Sequence, residues 1–255
     1  MASSPVRALL VFAVLATVAL VVPSAFAAPV PPGSPAGAAP LWSVLTDGLS
    51  HLHDDALDAE VFRIDLQRFR ASVLVPGPRR SLTAAQARDQ AGPRAVLVVN
   101  GGFFDTAWAP LGLRIADGKV IQKLRPRVDW GVLLLREGSA SIVHSREYVP
   151  DAADLGAIQV GPRLVVEGRV TPLKPQSARR TAAAIERDGR FLTIAVTRAR
   201  VDAAALADKL ASLGAWSALM LDGGPSTQLS FRSGGRSIEL AGGYAVPDLL
   251  VIGAR

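Results

Sequence analysis

The chain has 255 residues, 49% of them hydrophobic, with 28 Lys and Arg against 22 Asp and Glu for a net charge of +6, and it has no cysteine. Disulfides and thiolate metal sites are thereby excluded, so an exported protein of this composition must be held by its core alone. The positive balance suits anionic partners, but the basic residues are scattered and no Lys/Arg run is interleaved with aromatics, which argues against a nucleic-acid partner.

Residues 1–27 have the form of a secretory signal peptide. Arg7 supplies the charge, Ala8 to Val22 is apolar, and Ala25-Phe26-Ala27 has the small-x-small pattern that signal peptidase accepts. The apolar run of 15 residues is shorter than the roughly 20 that span a bilayer. Cleavage after Ala27 is therefore favoured over a retained anchor, no later segment is a membrane span, and the expected location is secreted, periplasmic or in the cell envelope. Residues 28–40 are rich in Pro, Ala and Gly and carry no charge, a linker composition that buries too little to offset the entropy of ordering it. Residues 41–255 have the size of one large domain.

Early in that domain, His51-Leu52-His53-Asp54-Asp55 places two histidines at alternate positions. A solvated segment explains them more simply than a metal site, and with His144 the only other histidine a Ser-His-Asp triad is unattractive. Two segments have helical character: Ser81 to Gln90, opening on a capping Ser, and Asp202 to Leu213, opening on Asp202 and stopping at Gly214. Between apolar segments such as Trp130 to Arg136 and Phe191 to Thr197, the pairs Asp117-Gly118, Glu137-Gly138, Glu167-Gly168 and Asp188-Gly189 signal hairpins. The expected class is α+β: a largely antiparallel or mixed central sheet with a few packed helices, in a single domain.

Two apolar runs end alike. Ala95 to Val99 leads into Asn100-Gly101-Gly102-Phe103-Phe104-Asp105, and Ala218 to Leu221 into Asp222-Gly223-Gly224-Pro225-Ser226-Thr227. A buried strand that delivers a polar side chain and then two glycines can fix that side chain while letting a ligand approach backbone N–H groups, although one such motif alone is also an ordinary tight turn. Phe103 and Phe104 suit core or lid positions better than a sugar-stacking platform. Arg163 follows Gly161-Pro162, and Arg179-Arg180 precede Thr181-Ala182; a guanidinium is suited to bidentate phosphate recognition, while Arg179 fits a solvated turn residue.

In this order, Asn100 to Phe104, Gly161 to Leu164, Arg180-Thr181-Ala182 and Leu221-Asp222-Gly223-Gly224 with Ser226-Thr227 resemble the phosphodiester glycosidase family, whose members include bacterial exopolysaccharide-related proteins. Val246-Pro247-Asp248 and Leu249 to Ile252 resemble its closing strand, with Asp248 where Asn is more usual and Pro225 where Gly is common. The resemblance covers roughly Ala95 to the C-terminus. It implies hydrolysis of a sugar-1-phosphodiester at the glycosidic carbon. Asp222 is then the first choice for the catalytic carboxylate and Asp105 the second. Asn100, Gly101, Gly102, Arg163, Arg180, Thr181, Gly223, Gly224, Ser226 and Thr227 would form the substrate site.

No cofactor is expected, although Asn100, Asp105 and Asp222 are hard oxygen ligands suited to Ca²⁺ or Mg²⁺. The partner expected is a sugar-phosphate or glycan. The alternative is a non-catalytic envelope protein that binds glycans or phosphopolymers through the same cleft and has no need of Asp222 as a carboxylate.

Overall fold

The computed structural model describes residues 42–255; the expected signal peptide, 1–27, and linker, 28–40, lie outside the described residues. Among the described residues strand accounts for 46% and helix for 10%, in four antiparallel sheets with two α-helices. The expected α+β class, a central sheet with a few packed helices, is therefore overturned: the protein is mostly β. The many short apolar segments pair with one another, so sheet faces rather than helices enclose most of the core.

An eight-stranded sheet runs, edge to edge, Ser43–Thr46, Leu49–Asp54, Ala59–Asp65, Phe191–Thr197, Thr181–Ile185, Ser217–Met220, Arg163–Val166 and Arg169–Val170. A five-stranded sheet runs Arg236–Leu240, Leu229–Ser233, Ala95–Asn100, Leu249–Ala254 and Phe69–Leu74. Another runs Lys119–Gln122, Arg114–Ala116, Gly156–Val160, Gly131–Arg136 and Ser139–His144, and Ser177–Ala178 pairs with Val201–Asp202. The four acid-Gly pairs join successive antiparallel strands as expected. At Asp117-Gly118 (φ 47° and 72°) and Glu167-Gly168 (φ 50° and 75°) both residues are left-handed, the backbone that a tight two-residue hairpin requires.

The main core forms where the three larger sheets face each other: Phe62 and Ile194 from the first, Leu97, Val99 and Phe231 from the second, Leu133 and Ile158 from the third. Each fully buried side chain of this kind contributes about 1.5–3 kcal/mol. The helices cover outer faces. α1 (Ala84–Ala91) lays Ala84 and Ala87 over Val98 and Val251, whereas Leu97 and Val99 point the other way into the main core. Both faces of Ala95–Asn100 are thus covered, which is why an antiparallel strand carries an unbroken apolar run. α2 (Ala203–Ser212) packs Leu206 and Leu210 on the small residues Ala184, Ala195 and Ala218 of the large sheet.

Asp202 caps α2 as expected, its Oδ1 accepting from Ala204 N at 2.9 Å. The cap of α1 is Thr83 rather than Ser81. Leu82 is held extended by a bridge to Val246, so the helix starts later, with a reciprocal capping box between Thr83 and Gln86.

Candidate functional site

Two strand ends from different sheets meet where the sequence repeats its polar-Gly-Gly pattern. Asp222 N donates to Gly101 O at 3.0 Å, and Asn100 Nδ2 donates to Asp222 O at 2.7 Å. The other side of the Asn100 amide, Oδ1, accepts from Thr181 Oγ1 at 2.7 Å and from Gln228 N at 3.2 Å. Asn100 and Thr181 are fully buried, so both act as clamps that lock three strand ends together. Neither is presented to a ligand.

Gly101 and Gly102 have a similar internal role. A Cβ on Gly101 would run into the Asp248 carboxylate, and one on Gly102 into the Arg114 guanidinium. Gly101 N donates to Asp248 O at 2.9 Å and Gly102 N to Asp248 Oδ1 at 2.8 Å. These glycines make room for a buried ion pair and direct their N–H groups at Asp248. Arg114 completes the arrangement by donating to the carbonyls of Leu113, Gln159 and Phe103.

Above this base lies a cleft of about 350 Å³ lined by Phe103, Gly161, Pro162, Gln176, Ala178, Arg180, Met220, Leu221, Asp222, Gly223 and Gly224. Asp222 is its one carboxylate and Arg180 its one cation. Asp222 Oδ2 accepts from Ser226 Oγ at 2.5 Å and Oδ1 from Gly223 N at 2.9 Å. Burial pushes the Asp222 carboxyl above the usual carboxylate range despite these two hydrogen bonds; the nearby Asp248 charge adds to the rise and Arg114 opposes it. Gly224, at φ 60°, has open space where a Cβ would stand, and it starts the 3₁₀ turn Gly224–Ser226 that carries Ser226 back to Asp222.

Arg180 is 7% exposed, and among the described residues no carboxylate lies within ion-pair distance of it. Its Nη2 donates to the Gln176 carbonyl, and its Nε has no partner among the described residues. Burial lowers its pKa from the ordinary guanidinium value, which Asp202 offsets and Arg200 reinforces. Its neighbour Arg179 is structural, Nη2 donating to Thr227 O at 3.0 Å and Ala241 O at 3.1 Å, and so holds the 3₁₀ turn in place. Thr227 is buried with its Oγ1 unpartnered.

The other expected site residues lie elsewhere. Asp105 is exposed, outside this cleft, with Oδ1 accepting from Ala107 N and Ala109 N at 2.9 Å each. Arg163 lines a separate hollow with Asp129, Pro162 and Thr171. Phe103 packs edge-on against Trp130 beside the core, whereas Phe104 stacks on Trp108. His51 is not in a solvated segment: it is buried in a strand of the large sheet, 2.6 Å from Glu60. Burial alone would raise the Glu60 carboxyl, but hydrogen bonds from His51 and Arg198 outweigh it and hold it down at about 2. Among the described residues no group of three or more His, Asp and Glu side chains is arranged to hold a metal ion. Arg114, Gln228 and Tyr244 are not among the expected residues: Arg114 reaches the site through Asp248, Gln228 through Asn100 and Ser226, and Tyr244 through Ser226.

The model of the phosphodiester glycosidase family matches residues 93–252, and the chain belongs to that family. Among solved structures, the catalytic domain of zebrafish N-acetylglucosamine-1-phosphodiester alpha-N-acetylglucosaminidase, auto-inhibited by its pro-peptide, is similar in fold: TM-score 0.64 and 17% identity over 81% of this chain and 82% of that one. A putative exported protein from Burkholderia pseudomallei gives TM-score 0.56 and 16% identity over 80% of this chain and 74% of that one. A hypothetical protein from Synechocystis gives TM-score 0.53 and 16% identity over 85% of this chain and 61% of that one. No curated protein sequence matches significantly.

Proposed function

We propose that this protein is an exported hydrolase that cleaves a sugar-1-phosphodiester at its glycosidic bond, releasing free sugar and a phosphomonoester, on envelope or extracellular glycans. The observation that carries the reading is the pairing, in one cleft, of a single half-buried carboxylate, Asp222, with a single guanidinium that has no acidic partner, Arg180. A phosphodiester monoanion supplies the missing counter-charge for Arg180. A phosphomonoester leaves readily, so the main demand falls on a carboxylate that takes a proton from water as it attacks the anomeric carbon. The water oxygen bonds to that carbon, the bond from carbon to phosphate oxygen breaks, and Asp222 holds the proton. Ser226 fixes the carboxylate by donating to Oδ2, and the raised pKa makes Asp222 a better base than an exposed aspartate.

Family membership supports the reaction class, and the signal-like residues 1–27 support export. Among the described residues no helix is long and apolar enough to cross a membrane. The test is release of free sugar from a panel of sugar-1-phosphodiesters by protein beginning at Ala28, with Asp222→Asn in parallel and chelator in a third sample. Turnover that disappears in the variant and survives chelation supports a metal-independent glycosidase. Retained glycan binding by both proteins without turnover on any substrate replaces this reading with a binding protein.

A further inference from the structure

Beside the Asp222 cleft the chain builds a second hollow, of about 550 Å³, lined by Phe104, Asp105, Thr106, Trp108 and Tyr244. Its walls are aromatic and ordered. Phe104 stacks on Trp108 with centroids 5.0 Å apart and planes at 19°, while Tyr244 stands nearly perpendicular to both, 5.5 Å from Trp108 and 6.0 Å from Phe104. Trp108 and Tyr244 nevertheless remain 36% and 40% exposed, the two aromatic side chains among the large hydrophobic residues left at the surface.

The loop that presents Trp108 is held in an unfavourable shape. Trp108 has φ 62°, a left-handed backbone that is costly for a bulky residue. The cost is met by Asp105: its Oδ1 accepts from Ala107 N and Ala109 N, and its backbone closes the loop at both ends, N to Ala109 O and O from Trp108 N. A glycine would satisfy that backbone without strain. The chain instead places a partly exposed indole there, beside a carboxylate whose Oδ2 makes no hydrogen bond among the described residues.

The hollow and the cleft are lined by adjacent residues of one strand end. Phe103 lines one and Phe104 the other. The Tyr244 hydroxyl lies 3.3 Å from Ser226 Oγ; the single Ser226 proton goes to Asp222, so Tyr244 is the donor of that pair.

We propose that this aromatic hollow is a sugar-binding subsite, which takes a further pyranose ring of an extended glycan next to the residue whose phosphodiester bond lies in the Asp222 cleft. The C–H face of a pyranose carries partial positive charge and fits the negative faces of Trp108 and Tyr244, while Asp105 and Thr106 at the rim supply hydrogen bonds to ring hydroxyls. The inference rests on the proposed reading for the chemistry of the neighbouring cleft and narrows its substrate class to oligosaccharide or polymer. A small diester would leave the hollow empty.

The test is binding, so that it stands apart from turnover. Wild type, Asp222→Asn, Trp108→Ala and Trp108→Gly are applied to an array of pyranose oligosaccharides of two to six residues, with thermal melting as a folding control. Wild type and Asp222→Asn are expected to bind the same glycans, and both Trp108 variants to bind them roughly tenfold or more weakly. Trp108→Gly is expected to stay folded, because relief of the φ strain offsets part of the stacking lost with the ring. Undiminished binding by both Trp108 variants, or no glycan bound by wild type, would overturn the subsite. Absent turnover with Trp108-dependent binding would sink the hydrolase reading and leave the subsite standing.

Discussion

Arg114 Nε lies 3.0 Å from Asp248 Oδ1, and neither side chain has measurable exposure. The contact is electrostatic rather than a well-aligned hydrogen bond, since Arg114 Nε makes no hydrogen bond among the described residues despite that distance. An ion pair of this kind is costly to form and far more costly to halve. Arg114→Leu is therefore expected to lower unfolding free energy by about 3–5 kcal/mol in urea titrations. Asp248→Asn keeps an acceptor for Gly102 N and is expected to cost less than Arg114→Leu, because the Arg114 charge still has three carbonyl acceptors.

The glycines of the two repeated motifs are expected to respond differently. Gly101→Ala forces a methyl group into the Asp248 carboxylate, and relief requires the buried ion pair to move. Gly224→Ala meets no atom and bears only the strain of φ 60°, about 1 kcal/mol. Chemical denaturation of the two variants is expected to show Gly101→Ala the less stable by at least about 2 kcal/mol. Equal losses would mean that Asp248 and Arg114 can shift without cost.

That contrast marks what could be read from the chain. The strand Ala95–Asn100, the hairpins at Asp117-Gly118 and Glu167-Gly168, and α2 behind Asp202 are local patterns, and the sequence shows them directly. The balance between sheet and helix is not legible there, because a short apolar run does not say how many sheets will enclose the core. The site was half legible: Asp222 and Arg180 share a cleft, as the motifs suggested, but the Gly101-Gly102 pair serves Asp248, and Asn100 serves Thr181, Gln228 and Asp222. Those partners lie 81 to 146 residues away along the chain, where no spacing rule reaches. Asp105, placed by its neighbourhood to Asn100, instead closes the loop under Trp108.

The raised pKa of Asp222 has two consequences with opposite sign. A carboxyl whose folded pKa exceeds its unfolded value binds more protons when folded. Stability therefore falls as pH rises from the ordinary carboxylate range up to the folded pKa, and is level above it. Asp222→Asn can keep the Gly223 hydrogen bond and accept a reversed one with Ser226, so it is expected to melt higher than wild type at pH 7, with the gap narrowing in acid. The proposed base must be ionised to act, so the acid limb of kcat/KM is expected above the usual aspartate range. An activity profile flat down to pH 4 would exclude Asp222 as the base.

Arg180 is expected to show the same opposition between function and stability. Its guanidinium is buried without a carboxylate in contact, and its Nε is unpartnered among the described residues, so the desolvation penalty for that charge is only partly offset by Asp202 and the Gln176 carbonyl. Arg180→Met retains much of the stem's volume and removes the charge. It is expected to raise unfolding free energy by about 1–2 kcal/mol while lowering kcat/KM on a sugar-1-phosphodiester by roughly 10²–10³. Arg180→Lys keeps the charge but lacks the planar fork, so it is expected to recover little of the lost activity. Denaturation curves and kinetics on the two variants separate the roles. A destabilised but fully active Arg180→Met would show that the guanidinium braces Gln176 and takes no part in holding the phosphate.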